Sequence, residues 1–267
     1  MLSIYDSKLI LIYCIVVAAF FGAVMGSFLN CMAYRIAHHE SFVKGRSHCP
    51  SCGHTLGPLE LIPIFSWIFQ KGRCKACGEK ISIRYPLTEA FFALVTVLCL
   101  LRFDLTIECL RNYIFFCCLF SLSHVDLETM IIPDRFHIVM ITVWAACLYF
   151  VPGFTKEALW HGAALLIYGA VMLGVSLVMD RILKKDSLGG GDIKLIAVCA
   201  LYLGPVNMLF ALIGACVIGL VFVLIRRIRK KEGEGKAFPF GPSIALSCGI
   251  FCLYGGALAD WYLGLLK

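Results

Sequence analysis

Long apolar runs recur along almost the whole of this chain, and they constrain its fold more than any single motif. Of 267 residues, 60% are hydrophobic and only 15% charged, against roughly 25% charged in a soluble domain. A water-facing globule cannot hide that much apolar surface, so lipid must solvate most of it. At about 20 apolar residues per crossing, eight spans are predicted, near 9–29, 87–103, 110–125, 136–151, 160–179, 192–204, 207–225 and 243–264. The segment 192–204 is short and opens on glycines, and interrupted segments of that kind line cavities rather than face lipid. Only Asp6 and Lys8 flank the first span. That is not the basic stretch of a cleaved signal peptide, so the span is predicted to be retained.

Lysine and arginine set the orientation, because loops rich in them stay on the cytoplasmic side. With the N-terminus outside, the inner segments are 30–86, 126–135, 180–194 and 226–240. They hold all but Lys8, Arg102, Arg111, Lys156 and Lys267 of the 24 basic residues. The run Arg226-Arg227-Ile228-Arg229-Lys230-Lys231 directly follows a span and reads as a topology anchor on anionic lipid. No nucleic-acid-reading fold accompanies the net charge of +7, so no nucleic-acid partner is inferred. The stretch Lys230–Phe238 reads as a flexible loop. The predicted class is an all-α polytopic membrane protein of about eight transmembrane helices with one small cytoplasmic domain. It divides into a first helix (1–30), a cysteine-bearing insert (31–86) and a seven-helix core (87–267).

That insert, about 55 residues, is too short to bury a self-sufficient core and calls for a staple. Cys49-Pro50-Ser51-Cys52 and Cys74-Lys75-Ala76-Cys77 supply one. Two C-x2-C knuckles present four thiolates to one ion, the pattern of a structural zinc site. Gly53 and Gly78 follow the second cysteine of each knuckle, where the turn calls for positive φ. Disulfides are the competing reading, and a cytoplasmic compartment disfavours them. His48 and His54 flank the first knuckle as alternative ligands, less apt than four cysteines. The other cysteines fall mostly in apolar spans, where a free thiol behaves as a small hydrophobe. Cys109, near the outer surface, stands apart, and none of them is assigned chemistry.

Carboxylates at a membrane boundary are expensive unless they have a use. Asp126 ends one apolar segment, in Leu122-Ser123-His124-Val125-Asp126, and Asp192 opens another after Gly189-Gly190-Gly191. Both fall on the predicted inner side. A close carboxyl pair sharing one proton can take a proton from water and return one to a leaving amine. Helix polarity points to Asp192, at a helix N-terminus, as the ionised partner and to Asp126, at a C-terminus, as the proton donor. The three glycines leave room for an extended substrate backbone. A phosphate cradle is the rival reading: Asp192 opposes it and Lys194 partly favours it. Asp134 follows Pro133 and reads as a helix start, leaving Asp126 the better catalytic candidate. Glu89 and His124 are further polar residues near inner helix ends. A different class remains open, a zinc-stabilised transporter or scaffold using the two aspartates as an ion relay.

Taken together, these residues resemble a known family. Gly189-x-Gly191-Asp192 matches the GxGD motif of intramembrane aspartic proteases. Asp126 through Ile132-Pro133-Asp134 resembles a segment of the bacterial type IV prepilin peptidases. So do Gly26-Ser27-Phe28-Leu29-Asn30, the paired cysteine knuckles, Ile81-Ser82-Ile83-Arg84-Tyr85-Pro86-Leu87 and Phe238-Pro239-Phe240-Gly241-Pro242. The resemblance implies an enzyme that cleaves the basic leader of prepilins or pseudopilins on the cytoplasmic side of the inner membrane. It further implies N-methylation of the new terminus from S-adenosylmethionine. On that resemblance, Asp126 and Asp192 carry the cleavage, and the domain of Cys49, Cys52, Cys74 and Cys77 is linked to methylation. No methyl-donor motif such as a Rossmann glycine pattern is recognisable.

Overall fold

The computed structural model describes residues 4–41, 45–150, 154–184, 188–229 and 239–265. In lipid a helix is the economical element, since it satisfies each backbone N–H and C=O within its own segment. Helices accordingly dominate, and the only bridges among the described residues are two isolated ones, His48 with Thr55 and Arg73 with Lys80. The chain divides into two units, Met1–Cys109 and Leu110–Lys267.

The N-terminal unit is built on α1 (Lys8–Ala37) and α3 (Arg84–Phe103), with the short α2 (Phe65–Phe69) between them. Gly22 and Gly26 lie one turn apart on α1 and turn the same face to α3. A Cβ on Gly22 would collide with Thr96 Oγ1 and the Phe92 carbonyl, and one on Gly26 would stand 2.9 Å from the Thr88 carbonyl. Small residues at this spacing let two backbones approach where no hydrophobic force drives helix association in lipid. α1 runs about two turns past its predicted end at residue 29, and it stops at His38, where His39 takes a positive φ of 57°.

The C-terminal unit holds α4 (Ile107–Thr129), which starts at the junction, then α5 (Asp134–Leu148), α6 (Phe154–Leu183), α7 (Gly190–Arg229) and α8 (Gly241–Leu265). α4 is interior, with Phe115 and Leu122 fully buried. Near its N-terminal end, buried Arg111 donates to Glu157 Oε1 at 3.0 Å. α6 is the opposite case, with the apolar side chains of Leu159, Leu166, Val171 and Leu177 exposed.

α7 bends back on itself. Gly204 has φ 73° and ψ 173°, outside the helical region, and Pro205 follows. Glycine at such a break and proline starting the next segment are the expected residues. The limb 190–203 runs along α6, with Gly169 against Ala197 and His161 against Gly204. The limb 205–229 runs along α8, with Asn207 at Gly255, Ser247 at Gly214 and Phe240 at Gly219. Gly191 and Gly241 both abut Ile132, so the second limb returns to the end from which the first departed. The predicted separation of 192–204 from 207–225 is this reversal.

Five helices, Lys8–Ala37, Arg84–Phe103, Thr155–Leu183, Gly190–Ile225 and Gly241–Leu258, are long and apolar enough to cross a membrane. With α4, α5 and the two limbs of α7 counted separately, the described residues hold eight apolar helical segments, and the chain is an all-α multi-pass membrane protein. The predicted loop Lys230–Phe238 lies outside the described residues.

Candidate active site and metal centre

In the N-terminal unit the two knuckles fold on one plan. Cys49 N–H donates to the His54 carbonyl at 2.9 Å and Gly53 N–H returns to the Cys49 carbonyl at 2.9 Å. Cys74 N–H donates to Glu79 at 2.8 Å and Gly78 N–H to Cys74 at 2.9 Å. Gly53 (φ 72°) and Gly78 (φ 75°) supply the left-handed residue that closes each turn, which side chains rarely tolerate. The four sulfurs of Cys49, Cys52, Cys74 and Cys77 lie within 4.8 Å of one another.

Cys49 Sγ and Cys77 Sγ are 3.9 Å apart. Four thiolates about 2.3 Å from one zinc in tetrahedral array would stand about 3.8 Å from each other. The donor set therefore fits structural zinc, and with four sulfurs the shell has no open position for catalysis. Backbone N–H groups of Cys52 and Ser51 aimed at Cys49 pull its thiol down to about 6, whereas at Cys77 the Glu79 N–H is outweighed by burial and the neighbouring thiols, which push it up to about 12. Neither flanking histidine stands in for a ligand. His48 Nδ1 is 3.4 Å from the Arg46 carbonyl, and His54 Nε2 pairs with Glu60 Oε2 at 3.2 Å. Glu60 also accepts the Gly57 N–H at 2.8 Å, tying the first knuckle to the following turn.

In the C-terminal unit the structure brings Asp126 and Asp192 into one neighbourhood. Asp126 is buried in the last turns of α4 and accepts the backbone N–H of Gly241 on Oδ2 at 3.1 Å. Gly241 is the first residue of α8. Asp192 sits in the first turn of α7, its N–H bonded to the Gly189 carbonyl at 3.0 Å. It lies within electrostatic reach of Asp126. Its Oδ1 is buried and accepts no hydrogen bond among the described residues. A buried carboxylate oxygen without a partner is costly, and a bound water or a substrate amide would satisfy it. Both aspartates face a helix N-terminus, Asp126 that of α8 and Asp192 that of α7. Helix polarity thus no longer assigns one as donor and the other as acceptor.

Ile132 is the spacer of this site. From the turn between α4 and α5 it meets both flanking helix starts, 3.1 Å from a Cβ on Gly191 and 3.3 Å from a Cβ on Gly241. Of the three predicted glycines, Gly191 is thus needed for close packing, a Cβ on Gly189 would stand 3.3 Å from Asp192 Oδ2, and Gly190 borders open space.

Asp134 begins α5, as expected, and does more. Lys194 Nζ donates to its two oxygens at 2.8 and 3.0 Å, which holds the Asp134 carboxyl below the usual carboxylate range. With its amine engaged there, Lys194 gives a phosphate cradle no cation. His137, buried one turn further along α5, has Nδ1 3.7 Å from Asp134 Oδ1. Ile132, Gly241 and the Lys194–Asp134 pair were not singled out as parts of the site. Ile132, Asp134 and Gly241 lie in segments that carry the family resemblance, and Lys194 lies two residues from Asp192; those are the signals the sequence holds. The other polar residues noted go elsewhere: Glu89 accepts the Ile64 N–H at 2.6 Å within the N-terminal unit, and His124 neighbours Glu128 at 3.6 Å.

Matches to known proteins fall in both units of the chain. Residues 20–103 match the profile of the bacterial peptidase A24 N-terminal domain, and residues 113–224 that of the type IV leader peptidase family. A prepilin leader peptidase/N-methyltransferase of Bacillus subtilis (strain 168) is 36% identical over 249 residues, 91% of this chain and 95% of the relative. Proteins of the same description from Pseudomonas putida (31% over 273 residues, 91% of each chain) and Aeromonas salmonicida (28% over 280 residues, 92% of each chain) are also similar. No solved structure matches the chain.

Proposed function

The chain belongs to the type IV leader peptidase family, and from that premise we propose that it removes the leader of prepilins or pseudopilins and N-methylates the residue so exposed. Asp126 and Asp192 are the hydrolytic pair. The ionised member takes a proton from water as the oxygen attacks the scissile carbonyl, and the other, which holds the pair's shared proton, delivers it to the departing amine. The observation that carries this reading is the buried, unpartnered Oδ1 of Asp192 within electrostatic reach of Asp126. Within the run Gly189, Gly190 and Gly191, Gly190 borders open space, and a substrate helix can unwind there beside the two acids.

Zinc on Cys49, Cys52, Cys74 and Cys77 staples the insert and takes no part in hydrolysis. α1 is the first membrane helix, the cysteine-bearing insert that follows it the methylation-linked domain, and the helices from α3 onward the peptidase core. S-adenosylmethionine supplies the methyl group in such a transfer; no residue here is assigned to it. By the charge asymmetry of the loops, the N-terminus lies outside the bacterial inner membrane, and the cysteine domain and both aspartates lie on the cytoplasmic face.

The test is mass spectrometry of a co-expressed prepilin with wild type, Asp126→Asn and Asp192→Asn. Each variant should leave the leader attached, and with no new amine the methyl should be missing too. Normal cleavage by either variant, with zinc content unchanged, would overturn the assignment.

A further inference from the structure

The insert between α1 and α3 carries an apolar face that nothing described in the N-terminal unit covers. On α2, Phe65, Ile68 and Phe69 stand at helical neighbours' spacing and are 57%, 56% and 80% exposed. Leu59, in the turn before, is 79% exposed. The helix is not loose. Trp67 points the other way, donates its ring N–H to the Ile81 carbonyl at 3.1 Å and packs on Gly72, where a Cβ would stand 2.8 Å from its ring. A rigid, clustered apolar face in water marks an interaction surface.

Its height in the molecule says what covers it. Ile64, immediately before α2, donates its N–H to Glu89 Oε2 at 2.6 Å. Glu89 is buried against Gly26 of α1 and lies inside the membrane-crossing helix Arg84–Phe103. It is five residues in from Arg84, which at ~1.5 Å per residue is about 7 Å along the axis. Ile64 keeps a positive φ of 64° to reach it, a conformation a β-branched residue rarely adopts. The start of α2 is therefore fastened level with the first turns of a transmembrane helix. Lys71, Arg73 and Lys75 follow, and the one acid from Leu59 to Gly78, Glu60, is turned inward to the Gly57 N–H and the His54 ring. Apolar side chains beside a basic flank suit an anionic bilayer surface.

We infer that 59–69 is an interfacial element, with Leu59, Phe65, Ile68 and Phe69 seated in the headgroup–acyl boundary of the membrane that α1 and α3 cross. It anchors the cysteine domain flat against the bilayer. Neither Asp126 nor Asp192 enters the argument, so it stands or falls apart from the peptidase reading.

The test uses the full chain in nanodiscs of phosphatidylethanolamine and phosphatidylglycerol, with the photo-crosslinking residue benzoylphenylalanine in place of Phe69 and, separately, of Lys75. Phe69 is exposed, so its replacement leaves the packing intact. Mass spectrometry after irradiation should find acyl-chain adducts at position 69 and none at 75. Adducts at 69 on an added prepilin or on this chain's own peptides would overturn the inference. So would a lipid yield at 69 no higher than at 75.

Discussion

Gly241 gives its backbone N–H to Oδ2 of Asp126 at 3.1 Å, and the same oxygen occupies the space a side chain on Gly241 would need, 2.6 Å from an ideal Cβ. One residue thus donates to the carboxylate and, by having no side chain, leaves room for it.

Gly241→Ala should therefore push the Asp126 carboxylate aside while leaving the bundle folded. A displacement of about 1 Å at a reacting group costs on the order of 100-fold in rate. Prepilin cleavage in membranes should fall by about that much, with helical content unchanged by circular dichroism. A rate within a factor of about two of wild type would show that the carboxylate does not need this seat.

The cysteine cluster predicts a metal stoichiometry. Purified protein should carry about one zinc per chain, and Cys74→Ser, removing a buried ligand, should lose most of it because structural zinc binding and folding are linked. Limited proteolysis should then open the 45–83 region first. Elemental analysis showing no zinc in the wild type would refute the site.

Asp134 and Lys194 make stability depend on pH. Lys194 holds the folded-state Asp134 below its unfolded value. The pair's contribution is then complete above the usual carboxylate range and is lost as pH falls through the depressed value. Thermal melts of wild type and Asp134→Asn should differ at neutral pH and converge on acidification. Both partners are more than half exposed, so the difference should be small and screened by salt. A gap that persisted in acid would exclude the pair as its source.

The reversal in α7 rests on Gly204, whose φ of 73° is followed by Pro205 and faced by the His161 ring, 3.4 Å from an ideal Cβ. Gly204→Ala should cost about 1–3 kcal/mol through backbone strain alone. The loss should appear as a lower melting temperature in detergent. An unchanged melt would mean the turn does not depend on this conformation.

Much of this protein could be read along the chain. Apolar runs about as long as a bilayer is thick imply helices whatever their neighbours, so the all-α, multi-pass class was legible from composition and period. The cysteine knuckles were legible too, because each pair's geometry is local and the glycine after it reports the turn. Asp126 and Asp192 stood out because carboxylates are rare at membrane boundaries.

What the chain could not disclose is what one helix does to another. That Asp126 meets the N-terminus of α8, that Ile132 spaces two glycine-started helices, and that Lys194 is engaged by Asp134 all depend on contacts between residues far apart in sequence. Helix polarity read along α4 alone made Asp126 the proton donor; packing added a second helix end that local sequence does not encode. The apolar face of α2 was hidden for the same reason, since only the bond from Ile64 to Glu89 sets its depth. Periodicity and rare residue types determine which elements form and which side chains are costly; the distances that turn those side chains into a site arise only when the helices pack.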